Sequence, residues 1–193
     1  MASLTDKLWL EKWEALTDVG WEMVSTGGTA KALRKAKIEV ITVRKVTGFP
    51  EMLDGRLKTL HPRVFGGILP DRDNPKHMRI IKRYGIRPID IVVVNLYDFL
   101  KDPGIWNIDV GGPSMLRAGA KNGKHVIVVI DPKDYDWIIK EVLETGTVSE
   151  KSREKLALKV FQKTCAYDRA IVRWIKQQIA AGKPVFALKD AKH

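Results

Sequence analysis

The chain is 193 residues long, 45% hydrophobic and 30% charged, the balance of one domain with its own core rather than of a disordered chain. Its single cysteine, Cys165, excludes an internal disulfide, and its longest apolar runs, at 91–94 and 126–130, are far too short to span a bilayer. The net charge of +11 invites a nucleic-acid reading, but cations and acids interleave, as in KSREKLALK at 151–159. A solvated basic surface that favours small anions is therefore expected, with a single domain over 1–193, a cytoplasmic location, and neither nucleic acid nor membrane as partner.

Leu8, Trp13 and Leu16 fall on one face of a helix predicted over about 6–17. WEMVS at 21–25 predicts a strand, and Ala30, Leu33 and Ala36 the helix after it. EVITV at 39–43 predicts the next strand, ending near Val43. The connection at 47–62 is punctuated by Gly48, Pro50, Gly55 and Pro62; its apolar Phe49, Met52, Leu53, Leu57 and Leu60 predict a loop pinned by burial. Met78, Ile81 and Tyr84 mark a helix, IDIVVVNL at 89–96 a strand buried on both faces, and Met115, Leu116 and Gly119 a helix with Pro113 in its first turn. HVIVVI at 125–130 predicts another strand. Asp131 and Pro132 then cap and open a helix carrying Ile138, Ile139, Val142 and Leu143 inward. Ser149 starts a long last helix with Leu156, Val160, Tyr167, Ile171 and Trp174 on its buried face. Strands alternating with helices predict an α/β, doubly wound, mostly parallel sheet flanked by helices, whose ligands bind outside the carboxyl ends of the strands.

Three loops occupy such positions. In STGGTA, Gly27 and Gly28 admit an anion to the backbone N–H groups while Thr26 and Thr29 add hydroxyl donors; a plain tight turn capped by Thr26 explains the same residues. In the 47–62 connection, Arg56 and Lys58 either direct charge into the crevice or are solvated cations on a packed loop. Asn95 and Tyr97 end the most apolar strand. Asp109 precedes a Gly-Gly helix start, where a carboxylate is also an ordinary cap, and Lys121 ends that helix, where lysine is common for the opposite dipole reason. The four histidines lack the spacing of a metal site, and no metal is expected.

STGGTAKALR, VTGFPEMLDGRLKTLHPRVFGGIL, VVVNLYDF, IDVGGPSMLRAGAKN and LALKVFQKTCAYDRAI, in that order, closely resemble the inosine monophosphate cyclohydrolase domain of the bifunctional purine-biosynthesis enzymes. The resemblance implies a methylglyoxal-synthase-like fold and closure of 5-formamidoimidazole-4-carboxamide ribonucleotide to inosine monophosphate with loss of water, without cofactor or metal. It implies phosphate contacts from Thr5, Asp6 and Lys7 and from Thr26, Gly27, Gly28 and Thr29. Arg56, Lys58, Thr59, Asn95 and Tyr97 would contact substrate, Asp109, Val110 and Gly111 would meet the base, and Lys121 would transfer the proton. A homodimer is implied as well.

The chain also departs from that family's pattern. It stops at His193 where the family continues into a formyltransferase, so a stand-alone cyclohydrolase with a separate formyltransferase partner is expected. Only Met1 to Leu4 precede TDK, which predicts a brief first strand; Leu8 and Trp9 follow Lys7 where the family has a glycine, and Phe65 stands where it usually has histidine. The connection at 98–109 is short enough to lose its usual helix. The competing readings are a methylglyoxal synthase, which needs a carboxylate base for a triose phosphate, and a binding module, either an effector sensor or a basic RNA binder.

Overall fold

In a computed structural model of the chain, residues 1–4 and 10–186 are described. Five parallel strands, β1 (Ala2–Leu4), β2 (Val24–Ser25), β3 (Ile41–Thr42), β4 (Ile91–Asn95) and β5 (Ile127–Val129), lie in the order β3-β2-β1-β4-β5. The register pairs Ala2 with Ser25 on one side and with Val93 on the other, and the Ser25 hydroxyl donates to the Ala2 carbonyl at 2.7 Å. β1, brief as expected, is thus the central strand. Strand order runs outward from it in both directions, so the switch point of the sheet lies between β1 and β4, the place where such sheets open a ligand crevice.

Right-handed crossovers put the helices after β2 and β4 on opposite faces. On one face α2 (Gly27–Lys35) covers β1 and β2, while α1 (Glu14–Asp18) packs against α7 (Tyr135–Thr145). On the other, α6 (Gly111–Lys121) covers β4 and β5 and meets both α4 (Pro62–Ile68) and α8 (Glu150–Ala180). Every residue of β4 and β5 is buried, as their unbroken β-branched runs predict. The main core joins these strands to Leu33, Val64, Leu116, Ile138 and Val160. A second cluster, Phe99, Tyr167 and Trp174 with Leu96, Ile105 and Ile108 packed on it, sits under the loops after β4.

Several expectations are corrected. The predicted strand at 39–43 ends at Thr42, whose hydroxyl accepts from the Lys45 N–H and opens a short helix α3 (Val43–Thr47) at Val43. Tyr84 follows the end of α5 (Pro75–Arg83) and is exposed, as is Leu143 on α7. Of the predicted first helix, residues 10–13 form a 3-10 turn leading into α1, and Leu8 lies outside the described residues. The connection after β4 carries two 3-10 turns, Phe99–Lys101 and Ile105–Asn107, and no α-helix. No helix among the described residues is long and apolar enough to cross a membrane.

Candidate functional site

A cavity of about 1120 Å³ opens at the switch point. Its walls come from the turn after β2, the 55–60 segment, the connection after β4 and the first turn of α6. Thr26, Arg56, Lys58, Thr59, Tyr97, Asp109, Val110 and Gly111 all line it, so residues spread over more than eighty positions of sequence meet at one place.

On the phosphate-cradle side, Thr26 occupies the cap position of α2 yet its side chain makes no capping bond, and Gly27 takes φ +41°. The first-turn N–H groups of α2 therefore remain directed outward with the positive end of the helix dipole behind them. Gly27, Gly28 and Thr29 open α2 beside the cavity; Thr29 is buried and the two glycines are exposed.

The 47–62 loop is not pinned by burial: Phe49, Met52, Leu53 and Leu60 are all exposed. It is shaped by a backbone bridge between Met52 and Leu57, closed by a turn in which Leu53, Asp54 and Gly55 all have positive φ. This turn lays the Lys58 stem across Gly55, where a Cβ would come within 2.6 Å of Lys58 Cε. The ammonium points at Gly27 and pairs at 3.5 Å with Glu51. Thr59 is buried with its hydroxyl against Gly111. Arg56 stacks over Trp106, 4.2 Å from guanidinium carbon to ring centroid.

Asp109 behaves as the cap its position suggested. Its Oδ1 accepts from the Gly112 N–H at 3.0 Å, and its own N–H donates to the Tyr167 hydroxyl at 2.8 Å. Burial pushes its carboxyl above the ordinary range, and the Gly112 and Gly111 N–H groups partly offset that. The Tyr97 hydroxyl is buried and finds no hydrogen-bond partner among the described residues. Burial first, then the Tyr167 hydroxyl nearby, raises its pKa, so the phenol stays protonated and able to donate. Tyr97 lines the cavity, so its phenol is placed to donate to a ligand acceptor there.

Other expected residues lie elsewhere. Asn95 is buried at the end of β4, behind the cavity-lining Leu96 and Tyr97. Lys121 is exposed at the C-terminal end of α6, about 15 Å along the axis from Gly111 at 1.5 Å per residue; within one chain it does not reach the cavity. Thr5, Asp6 and Lys7 lie outside the described residues. The sequence reading missed Lys101, Asp102, Trp106 and Asn107, which line the cavity from the short 98–109 connection; the Asn107 amide ties that connection together by donating to Asp102. The signal was present, since a loop after a strand rich in Gly, Pro and polar side chains is a candidate wall. Asp71, Asp73 and His125 bring ligand atoms within 4.8 Å of one another, but Lys124 already pairs with Asp73, and none of the three lines the cavity.

Residues 9–113 match the family model of the MGS-like domain, and residues 119–192 that of the AICARFT/IMPCHase bienzyme. The bifunctional purine biosynthesis protein PurH of Thermoanaerobacter sp. is 46% identical over 172 residues, which are 84% of this chain and 34% of that protein. The protein of the same name from Bacillus subtilis is 44% identical over 194 residues, 95% of this chain and 38% of that one. The chain thus spans little more than a third of the length of these relatives. The crystal structure of ForH superposes with a TM-score of 0.80 at 36% identity, covering 89% of this chain and 93% of that one. With the parallel switch-point sheet, the cavity at its carboxyl edge and the match over 9–113, the chain belongs to the MGS-like domain family.

Proposed function

We propose that this chain is an inosine monophosphate cyclohydrolase that closes 5-formamidoimidazole-4-carboxamide ribonucleotide with loss of water. The observation that carries the reading is the meeting of Lys58, Tyr97 and Asp109 in one cavity beside the open N-terminus of α2. The similarity to proteins called bifunctional purine biosynthesis protein supports it.

The substrate phosphate sits at the first turn of α2, where backbone N–H groups and the Lys58 ammonium balance its charge. Anchoring there turns the two ring substituents into attack geometry, which for an intramolecular closure is a large share of the acceleration. The carboxamide nitrogen is a weak nucleophile; Asp109 accepts one of its protons as the bond to the formyl carbon forms. The formyl oxygen gains negative charge, which the Tyr97 O–H meets as donor. It then takes a proton and, with a second, leaves as water while the formamide nitrogen gives up its proton and the ring C=N bond forms.

The reaction needs a formylated substrate, so a formyl-transferring activity, on a longer chain or a separate protein, precedes it. We place the chain in the cytoplasm, as a homodimer. Leu158, Phe161, Val172 and Ile179, exposed on α8 at helical spacing, suit a second copy, and sedimentation velocity reads the mass. Absorbance-monitored turnover of the formylated ribonucleotide by the purified protein tests the activity. Product formation is expected, and folded protein that does not exceed the uncatalysed rate ends the reading.

A further inference from the structure

Tyr97 and Asp109 both stand on loops, and a loop side chain holds catalytic geometry only if something rigid supports it. The same residue of α8 supports both. The Tyr167 hydroxyl accepts from the Asp109 backbone N–H at 2.8 Å, while its ring meets Tyr97 edge-on, with centroids 6.3 Å apart and planes at 81°. Phe99 also packs on the same ring, at 6.1 Å and 76°. Tyr167 is only 7% exposed. Its helix is anchored above by Leu156 and Val160 in the main core and below by Trp174 in the second cluster. One residue on, Asp168 pairs with Arg117 of α6 at 3.0 Å.

We propose that Tyr167 is a positioning residue for the ring closure, fixing the Asp109 main chain through its hydroxyl and the Tyr97 ring through its edge. Asp109 then has two tethers, the carboxylate to Gly112 N–H and the backbone N–H to Tyr167, and together they set the direction in which the carboxylate points. Cutting the backbone tether leaves the cap intact but lets the residue turn about it. A misplacement of about 1 Å costs up to about 10²-fold in rate.

The kinetic side of this inference rests on the cyclohydrolase reading; the structural side does not. Tyr167→Phe keeps the ring and its packing and removes only the hydroxyl. The expected result is a fall in kcat of roughly 10- to 100-fold with KM within about 3-fold, together with faster hydrogen exchange at the Asp109 amide. Trp174→Phe, in the same buried cluster but without a bond to Asp109, is expected to stay within about 3-fold of the parent in kcat. Unchanged exchange at Asp109, an unchanged kcat in Tyr167→Phe, or an equal loss in Trp174→Phe overturns the proposal, the last by making the role one of packing alone. If the parent protein shows no turnover, the cyclohydrolase reading fails, and the Asp109 exchange still decides whether Tyr167 holds that residue.

Discussion

The Lys58 ammonium faces Gly27 so closely that a Cβ on that glycine would lie 3.3 Å from it. The cation of one loop is thereby delivered to the helix N-terminus of another, and we propose that the pair forms a single anion site. In the proposed reaction the Lys58 ammonium balances the substrate phosphate, so Lys58→Ala is expected to weaken nucleotide affinity and to lower kcat/KM by about 10²-fold. Gly27→Ala works differently. Its φ of +41° strains a side chain, which lowers stability, and the methyl crowds the ammonium, so nucleotide affinity is expected to weaken, though less than in Lys58→Ala. Calorimetric titration with inosine monophosphate reads both; unaltered affinity in the two variants removes the anion site.

Gly112 is required by Asp109. A Cβ there would stand 2.3 Å from Asp109 Oδ2, a separation no relaxation of the rigid helix start accommodates without moving the carboxylate. Gly112→Ala is therefore expected to lower kcat by about 10²-fold or more, while the fold persists because the rest of α6 is untouched. Turnover measured beside circular dichroism separates the two effects. Full activity in a folded Gly112→Ala protein disproves the role given to the Asp109 geometry.

Sequence pattern was enough for β4 and β5, whose apolar runs have one physical solution, burial on both faces. It was enough for the cap at Ser149, whose side chain accepts from Ser152 N–H, while Asp131, expected to cap a helix opened by Pro132, caps a 3-10 turn (Pro132–Asp134) ahead of α7. It failed where tertiary contact decides. β1 has three residues and no periodicity, and exists because Ala2 finds partners on both sides. The cation loop has the composition of a buried segment but is shaped by a backbone bridge and three positive φ angles. Lys58, Tyr97 and Asp109 were named in the sequence, and their convergence follows from strand order, which spacing along the chain does not contain. Tyr167 read as one more buried residue of a long helix, because its hydroxyl partner lies 58 positions away.

The position of Lys121 separates what the family resemblance implies from what the fold allows. The residue ends α6, exposed, at the far end of the helix whose first turn lines the cavity. Lys121→Ala is therefore expected to keep kcat/KM within about 3-fold of the parent, at least about 10-fold above Lys58→Ala. A loss as deep as that of Lys58→Ala would mean that Lys121 acts on the cavity of a second copy. Mixing Lys121→Ala with an inactive Asp109→Asn chain then restores activity in the mixed dimer.

The buried carboxyl of Asp109 ties activity and stability to pH in opposite senses. Burial raises its pKa in the folded protein above the ordinary value of about 3.9. As a base it works only when ionised, so the acid limb of kcat/KM lies above the usual carboxylate range, and Asp109→Asn removes the limb along with about 10²–10⁴ of the rate. For stability the sign reverses. Between the unfolded and folded pKa values the folded chain holds more protons than the unfolded one, so stability falls as pH rises through that window. At neutral pH the ionised carboxylate is a cost, which disappears only below the unfolded value. Asp109→Asn keeps an oxygen to accept from Gly112 N–H and carries no charge. It is therefore expected to melt at a higher temperature than the parent at pH 7, with the difference closing as the pH is lowered through the carboxylate range. Thermal melts of the two proteins from acid to neutral pH, beside the pH–rate profile, read both senses at once. A parent protein as stable as Asp109→Asn at pH 7 would show that the carboxylate is not held at a cost, and its assignment as a desolvated base would fail with it.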